Sequence, residues 1–307
     1  MKKLMFVLFI FICILVFQNK TKITEYIFLN YVYKNEFNYI NDNEYKKEDF
    51  YFKSTTNYLP DNKEDILRII YTSLNIVYDK FNFFCKNDYS SCWKDVETLL
   101  NDEDVLSVIN NFIHPFNSYE RLNVSFNGIG KISVSVDKQY NENDIIILNN
   151  IVNEIYESLI TDNMSDSEKI RVIHDYIIEN TKYDKVKADD LKNNTNNSIY
   201  SSDTAYGPLI EGYGICSGYT DAMALFLNKM NIPNYKISSK EHVWNYVYVD
   251  GKWLHLDLTW DDPVIIPEED RINHDYFLIT TNELLEKETE EHNFNKNIFE
   301  QKPITNS

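Results

Sequence analysis

Cys216 is the residue of this sequence whose setting best suits a nucleophile. It lies between Gly214 and Gly218, directly before a run of residues with helical spacing that ends at Ile232-Pro233. Unpaired N–H groups and the positive end of the helix dipole favour a thiolate at a helix start. The glycines would also let a substrate chain approach the sulfur closely. A structural thiol in a glycine-rich turn is the alternative, and this motif alone does not separate the two.

A histidine and an aspartate downstream supply the other groups of a nucleophilic triad. Two strand-like segments, 242–249 and 253–260, are joined across Asp250-Gly251, a dipeptide typical of type I′ hairpin turns. With this loop, His242 and Asp257 fall on one face as diagonal neighbours, ~7–8 Å apart at their Cα atoms. Cys216, His242 and Asp257 therefore match the nucleophile, general base and orienting acid of acyl transfer.

Structural interpretations of these residues stay open at this point. His242 could be an exposed histidine at a strand end, and Asp257 could cap the following turn. His255 shares their face, but on this register it lies ~13 Å along the strand from His242. That separation is too large for one tetrahedral zinc ion, so no metal is expected there. Asp261 and Asp262 are interpreted as turn formers rather than calcium ligands.

The elements around these residues follow from periodicity. Apolar residues at helical spacing predict helices over 62–80, 94–113 and 144–160, and alternation around Asn127-Gly128 predicts a strand pair over 124–136. The apolar residue Val77 belongs to the first helical pattern.

The next predicted helix starts at Ser165, where Ser165 and Glu168 form a capping box. His174 lies on its apolar stripe and is interpreted as a satisfied core histidine rather than a ligand. Polar residues 185–203 predict a loop of functional-lid length.

The amino terminus is typical of an export signal. Lys2 and Lys3 precede an apolar run from Leu4 to Phe17, which matches a secretory segment better than a full membrane span. No small-residue cleavage site follows, so an uncleaved signal anchor and a removed signal both stay open. We therefore expect an extracytoplasmic protein, either anchored in the membrane through this segment or secreted.

Cysteine usage agrees with export. Cys85 and Cys92 flank a polar, turn-like stretch, and in an oxidising compartment they would close a small loop worth ~2.5 kcal/mol. Two unrelated buried thiols are the alternative.

Composition limits the class of partner. The chain has 48 acidic and 30 basic residues and a formal charge of -18, which disfavours phosphate backbones. Nucleic acid is therefore not an expected partner. Apolar residues make up 43% of the chain, enough for a packed core. Five of the seven glycines lie between positions 207 and 251, so function is expected in that segment.

The sequence around the three candidate residues resembles the core of bacterial transglutaminase-like proteins. The resemblance covers about residues 165–265 and is carried by Ala205-Tyr206-Gly207-Pro208-Leu209, Gly214-Ile215-Cys216-Ser217-Gly218-Tyr219, His242-Val243-Trp244-Asn245 and the run from Trp253 to Pro263, with Ile173-His174-Asp175-Tyr176-Ile177 and Thr181-Lys182-Tyr183-Asp184 upstream.

This resemblance implies an α+β, papain-like core in which a cysteine-bearing helix packs on an antiparallel sheet. It places the family's nucleophile on Cys216, its base on His242 and its acid on Asp257. The family includes crosslinking transglutaminases, amide hydrolases or peptidases, and forms without the triad. The substrate implied is a protein or peptide amide, glutamine among them, with an amine or water as acceptor. No cofactor or metal is expected.

Two rival interpretations remain. Gly214-Ile215-Cys216-Ser217-Gly218 also fits a cysteine version of the α/β-hydrolase nucleophile elbow, but that fold places its acid before its histidine. The other rival is a non-catalytic cell-surface interaction module on the same scaffold, which would use the aromatic face of the hairpin.

The predicted organisation has four parts. They are a signal segment (1–18), a stalk or lead-in (19–60), a mainly helical accessory region (61–150) and a transglutaminase-like domain (151–307).

Overall fold

The computed structural model describes residues 2–27, 30–31, 43, 45, 51–76, 79–128, 130–262, 272–287 and 290–300. Val77, Pro263 and much of the predicted lead-in lie outside the described residues. The chain divides into two compact units, one of 1–42, 52–106 and 119–138, the other of 43–51, 107–118 and 139–307. The four-part division drawn from the sequence stays a prediction.

The first unit begins with two helices, α1 (Lys2–Gln18) and α2 (Lys20–Ile27). The apolar side chains of α1 are exposed along its length. Among the described residues, no single helix is long and apolar enough to cross a membrane, although α1 and α2, bent by 68°, pass that test together.

A three-stranded antiparallel sheet and two helices make up the rest of the first unit. The helices are α3 (Lys63–Ile76) and α4 (Cys92–Leu100), and the strands are β1 (Lys80–Phe84), β2 (Tyr119–Phe126) and β3 (Lys131–Lys138), in the order β1-β3-β2. The predicted strand pair around Asn127-Gly128 is β2–β3. The third strand, β1, was not predicted. The predicted disulfide between Cys85 and Cys92 is formed.

The single helix predicted over 94–113 is wrong. The chain instead forms α4 and α5 (Glu103–Asn111), and the passage from the first unit to the second falls within α5. Asn101 is the C-cap of α4. The carboxylate of Asp102 accepts the N–H of Val105 at 3.1 Å and so caps the start of α5. Short polar side chains of this kind compete with the helical backbone and favour a break.

The second unit contains the helices that precede the candidate nucleophile. They are α6 (Glu142–Leu159), α7 (Asp166–Asn180) and α8 (Lys185–Asn193). A capping box starts α6 at Asn141 and another starts α7 at Ser165, the second as predicted. The polar loop expected over 185–203 is only partly a loop, because Asp184 caps α8 and Lys, Ala and Leu side chains support its helix.

Two short strands, β4 (Lys182–Tyr183) and β5 (Tyr213–Gly214), pair in parallel. The core of this unit is helix α9 (Cys216–Lys229) and an antiparallel sheet of β6 (Asn234–Ser238), β7 (Val243–Val249) and β8 (Lys252–Leu256), in that order. Ten consecutive residues of α9, Gly218 to Leu227, are buried. A buried ion pair between Asp221 of α9 and Lys236 of β6, 2.9 Å apart, ties the helix to the sheet. The architecture is the α+β, papain-like core that the sequence predicts.

The hairpin register is the predicted one. Val249 pairs with Lys252 and Tyr246 with His255. Asp250 and Gly251 both have positive φ, 53° and 78°, as a type I′ turn requires.

Short elements follow the hairpin. They are α10 (Leu258–Asp261), α11 (Thr281–Glu286), a 3₁₀ turn at Glu290–His292 and α12 (Lys296–Phe299).

Candidate active site

Cys216 is the first residue of α9, as predicted, and is half-buried. Ile215 precedes it in an extended conformation and its N–H bonds to the carbonyl of Ser202, which fixes the chain as it enters the helix. The first N–H groups of a helix have no acceptor within that helix. The sulfur therefore lies beside donors that stabilise negative charge.

The glycines around Cys216 allow close internal packing of the backbone. A Cβ at Gly218 would lie 2.2 Å from the carbonyl oxygen of Ser202, and a Cβ at Gly207 would lie 2.4 Å from that of Tyr213. The expectation that the glycines let a substrate approach the sulfur stays a prediction. They let two backbone segments pass close to the start of α9.

His242 and Asp257, the residues predicted as base and orienting acid, form a hydrogen-bonded pair. The Nε2 atom of His242 lies 2.6 Å from Oδ2 of Asp257, and both side chains are almost fully buried. The residues lie just outside the strands, however, because the ladder ends at Asn245–Leu256. Asp257 is the N-cap of α10, and its Oδ1 accepts the N–H groups of Thr259 and Trp260.

A single hydroxyl group connects the backbone at Cys216 to the backbone next to His242. The Oγ1 atom of Thr220 lies 2.7 Å from the carbonyl oxygen of Cys216 and 3.0 Å from that of Val243, the residue after His242. The side-chain amide of Asn245 donates in turn to the carbonyl of Thr220 at 3.0 Å. These bonds fix the start of α9 against the start of β7.

The electrostatics of the pair favour an imidazolium. Burial by itself would lower the pKa of His242, but the charge of Asp257 and the adjacent thiol of Cys216 outweigh it and raise that pKa to about 10. Burial likewise opposes ionisation of Asp257, yet His242 and His292 hold the pKa of this carboxyl well below its usual range. Because Nε2 of His242 is occupied by Asp257, its other ring nitrogen, Nδ1, is left to face the thiol.

A cleft of about 810 Å³ adjoins this pair. Cys216 and His242 line it together with Tyr183 and Trp260. Charged side chains also line it, namely Lys192, Glu241, Asp262 and Glu291. Its volume lies within the range of ligand sites, ~300–1,000 Å³, and it gives a substrate access to the sulfur.

The family comparison agrees with this geometry. The model of the transglutaminase-like superfamily core matches residues 153–258, which include Cys216, His242 and Asp257. Residues 153–258 form a transglutaminase-like domain. This family supports a cysteine-dependent enzyme in general.

Two solved structures are similar to parts of this chain. One, described as a TGase, is 18% identical with a TM-score of 0.37, and the match covers 48% of this chain and 46% of that one. A "Putative Cysteine Protease" from Cytophaga hutchinsonii is 14% identical with a TM-score of 0.27, over 45% of this chain and 61% of that one. This chain thus spans about half and three-fifths of their lengths. With TM-scores below 0.5, neither bears on the activity. No curated protein matches.

His292 is the residue near the triad that sequence reasoning missed. Its Nε2 lies 2.8 Å from Oδ2 of Asp257, the atom that also bonds His242. It follows the residues matched to the transglutaminase-like family by more than 30 positions, in a segment without a distinctive pattern. The sequence indicates only that the carboxylate of Asp257 can accept a second hydrogen bond, and it does not indicate which residue donates that bond.

His255 is a neutral structural residue of the transglutaminase-like domain. Its Nδ1 accepts the indole N–H of Trp244 at 2.9 Å, so its proton is on Nε2, which faces the hydroxyl of Thr281 at 3.0 Å. Burial lowers its pKa to about 3.

His174 is buried and satisfied, as expected. Its Nδ1 lies 2.8 Å from Asp175 and its Nε2 lies 3.1 Å from Asp261. Asp261 is fully buried and also accepts the N–H of Tyr276, while Asp262 accepts the hydroxyl of Tyr219 at 2.6 Å. The interpretation of Asp261 and Asp262 as simple turn formers is therefore incomplete, because both carboxylates connect separate parts of the domain.

Two groups in the described residues combine histidine and carboxylate ligand atoms within 4.8 Å, the range of a metal site. They are His174, Asp175 and His274, and His242, Asp257 and His292. In each group both imidazoles approach one carboxylate oxygen at 2.6–2.8 Å, which is hydrogen-bond geometry. Arg171 adds a cation to the first group, 3.8 Å from Asp175.

Proposed function

We propose that the protein is an exported, cysteine-dependent acyl-transfer enzyme acting on protein or peptide amides. The observation that carries the proposal is the junction of a half-buried cysteine at a helix start with a buried His242–Asp257 pair 2.6 Å apart, beside an open cleft. This is the arrangement of nucleophile, base and orienting acid that acyl transfer requires.

Acylation follows from these positions. The Cys216 thiolate attacks the carbonyl carbon of a carboxamide and forms a C–S bond. The tetrahedral oxyanion is stabilised by the backbone N–H of Cys216. The C–N bond then breaks, and imidazolium His242 gives its proton to the departing amine or ammonia. Asp257 keeps its charge throughout and stabilises the imidazolium.

Deacylation reverses the roles. A primary amine or a water molecule attacks the thioester, and neutral His242 accepts its proton. The C–S bond breaks and the thiolate is regenerated, with a new amide or a carboxylic acid as product. Transamidation and hydrolysis share every step up to the thioester, so the acceptor alone decides the outcome.

Export is the second part of the proposal. Helix α1 begins with Lys2 and Lys3 and continues with exposed apolar side chains, as in a signal segment or signal anchor. The formed Cys85–Cys92 disulfide supports an oxidising compartment. The substrate is then an extracytoplasmic protein or peptide.

The deciding experiment is mass analysis of a glutamine-containing protein incubated with the enzyme, with and without a primary amine. Replacement of the side-chain NH₂ by the amine identifies transamidation, and its replacement by OH, or peptide-bond cleavage, identifies hydrolysis. Cys216→Ala is the matched control and should abolish every product. A Cys216→Ala protein that turns over substrate at the wild-type rate contradicts the mechanism. Tight binding of protein partners without turnover by either protein would favour the interaction module.

Asp257→Asn tests the orienting acid. Its neutral amide cannot stabilise an imidazolium and would face the donor N–H groups of two histidines. Acyl transfer should fall by roughly 10²- to 10⁴-fold, as for other misoriented catalytic histidines. The rate of thioester formation with a model amide measures this. Full activity in Asp257→Asn would remove Asp257 from the triad.

A further inference from the structure

The orienting acid has two imidazole partners. The Oδ2 atom of Asp257 lies 2.6 Å from Nε2 of His242 and 2.8 Å from Nε2 of His292. Its Oδ1 atom accepts the N–H groups of Thr259 and Trp260 at 3.0 and 3.2 Å. An ionised carboxylate only accepts hydrogen bonds, so both imidazoles must donate. Nε2 of His292 therefore carries a proton.

The surroundings of His292 fix the direction of this donor. The side chain is 1% exposed. Its ring stacks on Tyr276, with centroids 5.0 Å apart and planes 18° apart, and meets the indole of Trp244 edge-on at 5.0 Å. The preceding residue, Glu291, accepts the indole N–H of Trp260 at 3.2 Å. A ring enclosed in this way keeps Nε2 directed at Asp257.

We propose that His292 is a positioning residue for acyl transfer, holding Oδ2 of Asp257 against Nε2 of His242. The inference rests on the proposed function. With backbone donors on one oxygen and two imidazoles on the other, the carboxylate cannot rotate about its Cβ–Cγ bond without losing bonds. The charge that stabilises the His242 imidazolium is thus in place before the proton moves.

The same contact has a competing consequence. A donor on Oδ2 also draws on the charge that Asp257 offers to His242. Loss of a positioning partner should lower the pKa of His242, because the carboxylate moves away, whereas loss of a competitor should raise it. The titration of His242 therefore discriminates between the two roles.

Several titratable groups face His292 and belong in the interpretation. One is the carboxylate of Asp257, which His292 shares with His242. The others are His255, Tyr276 and the chain neighbours Glu290 and Glu291. All of these residues are kept in the His292 variants, so any change in the titration of His242 comes from the loss of the His292 side chain.

The experiment is an NMR titration of His242 in the full chain with isotopically labelled histidine; the sequence has only six. His292→Phe keeps a ring for Tyr276 but has no donor. In His292→Gln the amide nitrogen is as many bonds from Cα as Nε2 and can restore the bond. We expect the midpoint for His242 to fall by about one pH unit in the Phe variant, the size of one bond to a charged group. In the Gln variant it should return close to the wild-type value.

No shift, or an upward shift, in His292→Phe overturns the proposal, as does an equal fall in both variants. If neither variant folds, the wild-type spectrum decides, because His292 protonated on Nδ1 instead of Nε2 is incompatible with donation to Asp257. These measurements need no substrate. An absence of acyl transfer would therefore refute the proposed function without affecting the test of the contact.

Turnover gives a further readout once a substrate is known. His292→Phe should lower kcat by about 10- to 100-fold, as loss of a supporting partner commonly does, with KM little changed. In an Asp257→Asn background the same substitution should have no further effect, since His292 acts through Asp257. A full additional loss in that background contradicts the role.

Discussion

Asp257 is a charged group in a place where an isolated charge would be very costly. It is 1% exposed, and this burial opposes its ionisation, yet the charge of His242 and the hydrogen bonds from His242 and His292 hold its pKa below the usual range. His242 gains the complementary charge from it. Cys216 is more exposed than this buried pair, and it lines the cleft, where a substrate can reach it. Buried support beneath an accessible sulfur is what thioester chemistry requires.

The first prediction at this scale concerns the reactivity of Cys216. Cys216 lies at a helix start beside His242, so iodoacetamide should alkylate it faster in the wild type than in His242→Gln at the same pH. Peptide mass analysis separates labelling of Cys216 from that of Cys13, the other free cysteine. Equal rates of labelling at Cys216 in the two proteins would refute the activated nucleophile.

The second prediction concerns stability against pH. His242 has a pKa of about 10 in the folded protein, above the ~6.5 of an unfolded histidine. Its contribution is fully present below about pH 6.5 and is lost as the pH rises toward 10. Urea unfolding should therefore show the wild type losing stability over this range more steeply than His242→Gln. Parallel curves for the two proteins would show that the pair contributes no such linkage.

At the scale of elements, one helix and one hairpin bring the site together. The start of α9 supplies Cys216, and the residues flanking β7 and β8 supply His242 and Asp257. Thr220 and Asn245 join the helix to the hairpin. The close passage of the chain at Gly218 sets how α9 begins.

A substitution at Gly218 tests this close passage. The Cβ of Gly218→Ala would meet the Ser202 carbonyl at 2.2 Å, a contact that real Cβ atoms do not show. The steric cost of this contact should exceed the ~1 kcal/mol by which alanine is favoured over glycine in a helix, so the melting temperature should fall. Ser217→Ala, one residue earlier in the same turn, is the matched control and should be near neutral. Equal melting temperatures for the two variants would show that the backbone can yield at no cost.

The elements also show what could be read from the sequence. The Asp250-Gly251 turn fixed the register, and the register brought His242 to Asp257. Strand β1 was not predicted because Lys80–Phe84 is short, and its buried residues do not alternate with exposed ones along the strand. Helix α8 was not predicted because it is mostly polar and lacks an apolar stripe, although Asp184 caps its start. His292 reaches Asp257 through folding of a distant segment, which periodicity does not encode.

For the whole molecule, the acidic composition and the amino-terminal helix bear on location and partners. A charge of -18 disfavours anionic polymers as partners. The exposed apolar face of α1 needs a covering environment that the described residues of the first unit do not provide. The proposed export, with α1 inserted in a membrane, would satisfy this requirement.

A reporter fusion tests export. A reporter joined after residue 60 should be found outside the cytoplasm, because Lys2, Lys3 and the apolar run direct export. Protease accessibility in intact cells measures its location. Replacing apolar residues of α1 by polar ones is the control and should retain the reporter inside. A soluble, cytosolic reporter on the unaltered segment would refute export.

The position of His292 has a consequence for biosynthesis. Chains are made and fold from the amino terminus onward. Cys216 emerges first, then His242, then Asp257, and the second partner of Asp257 only after a further stretch of chain. A nascent chain thus carries its thiol for some time before the support of the acid is complete. On the proposed role of His292, the site should reach full activity only after residue 292 has been synthesised.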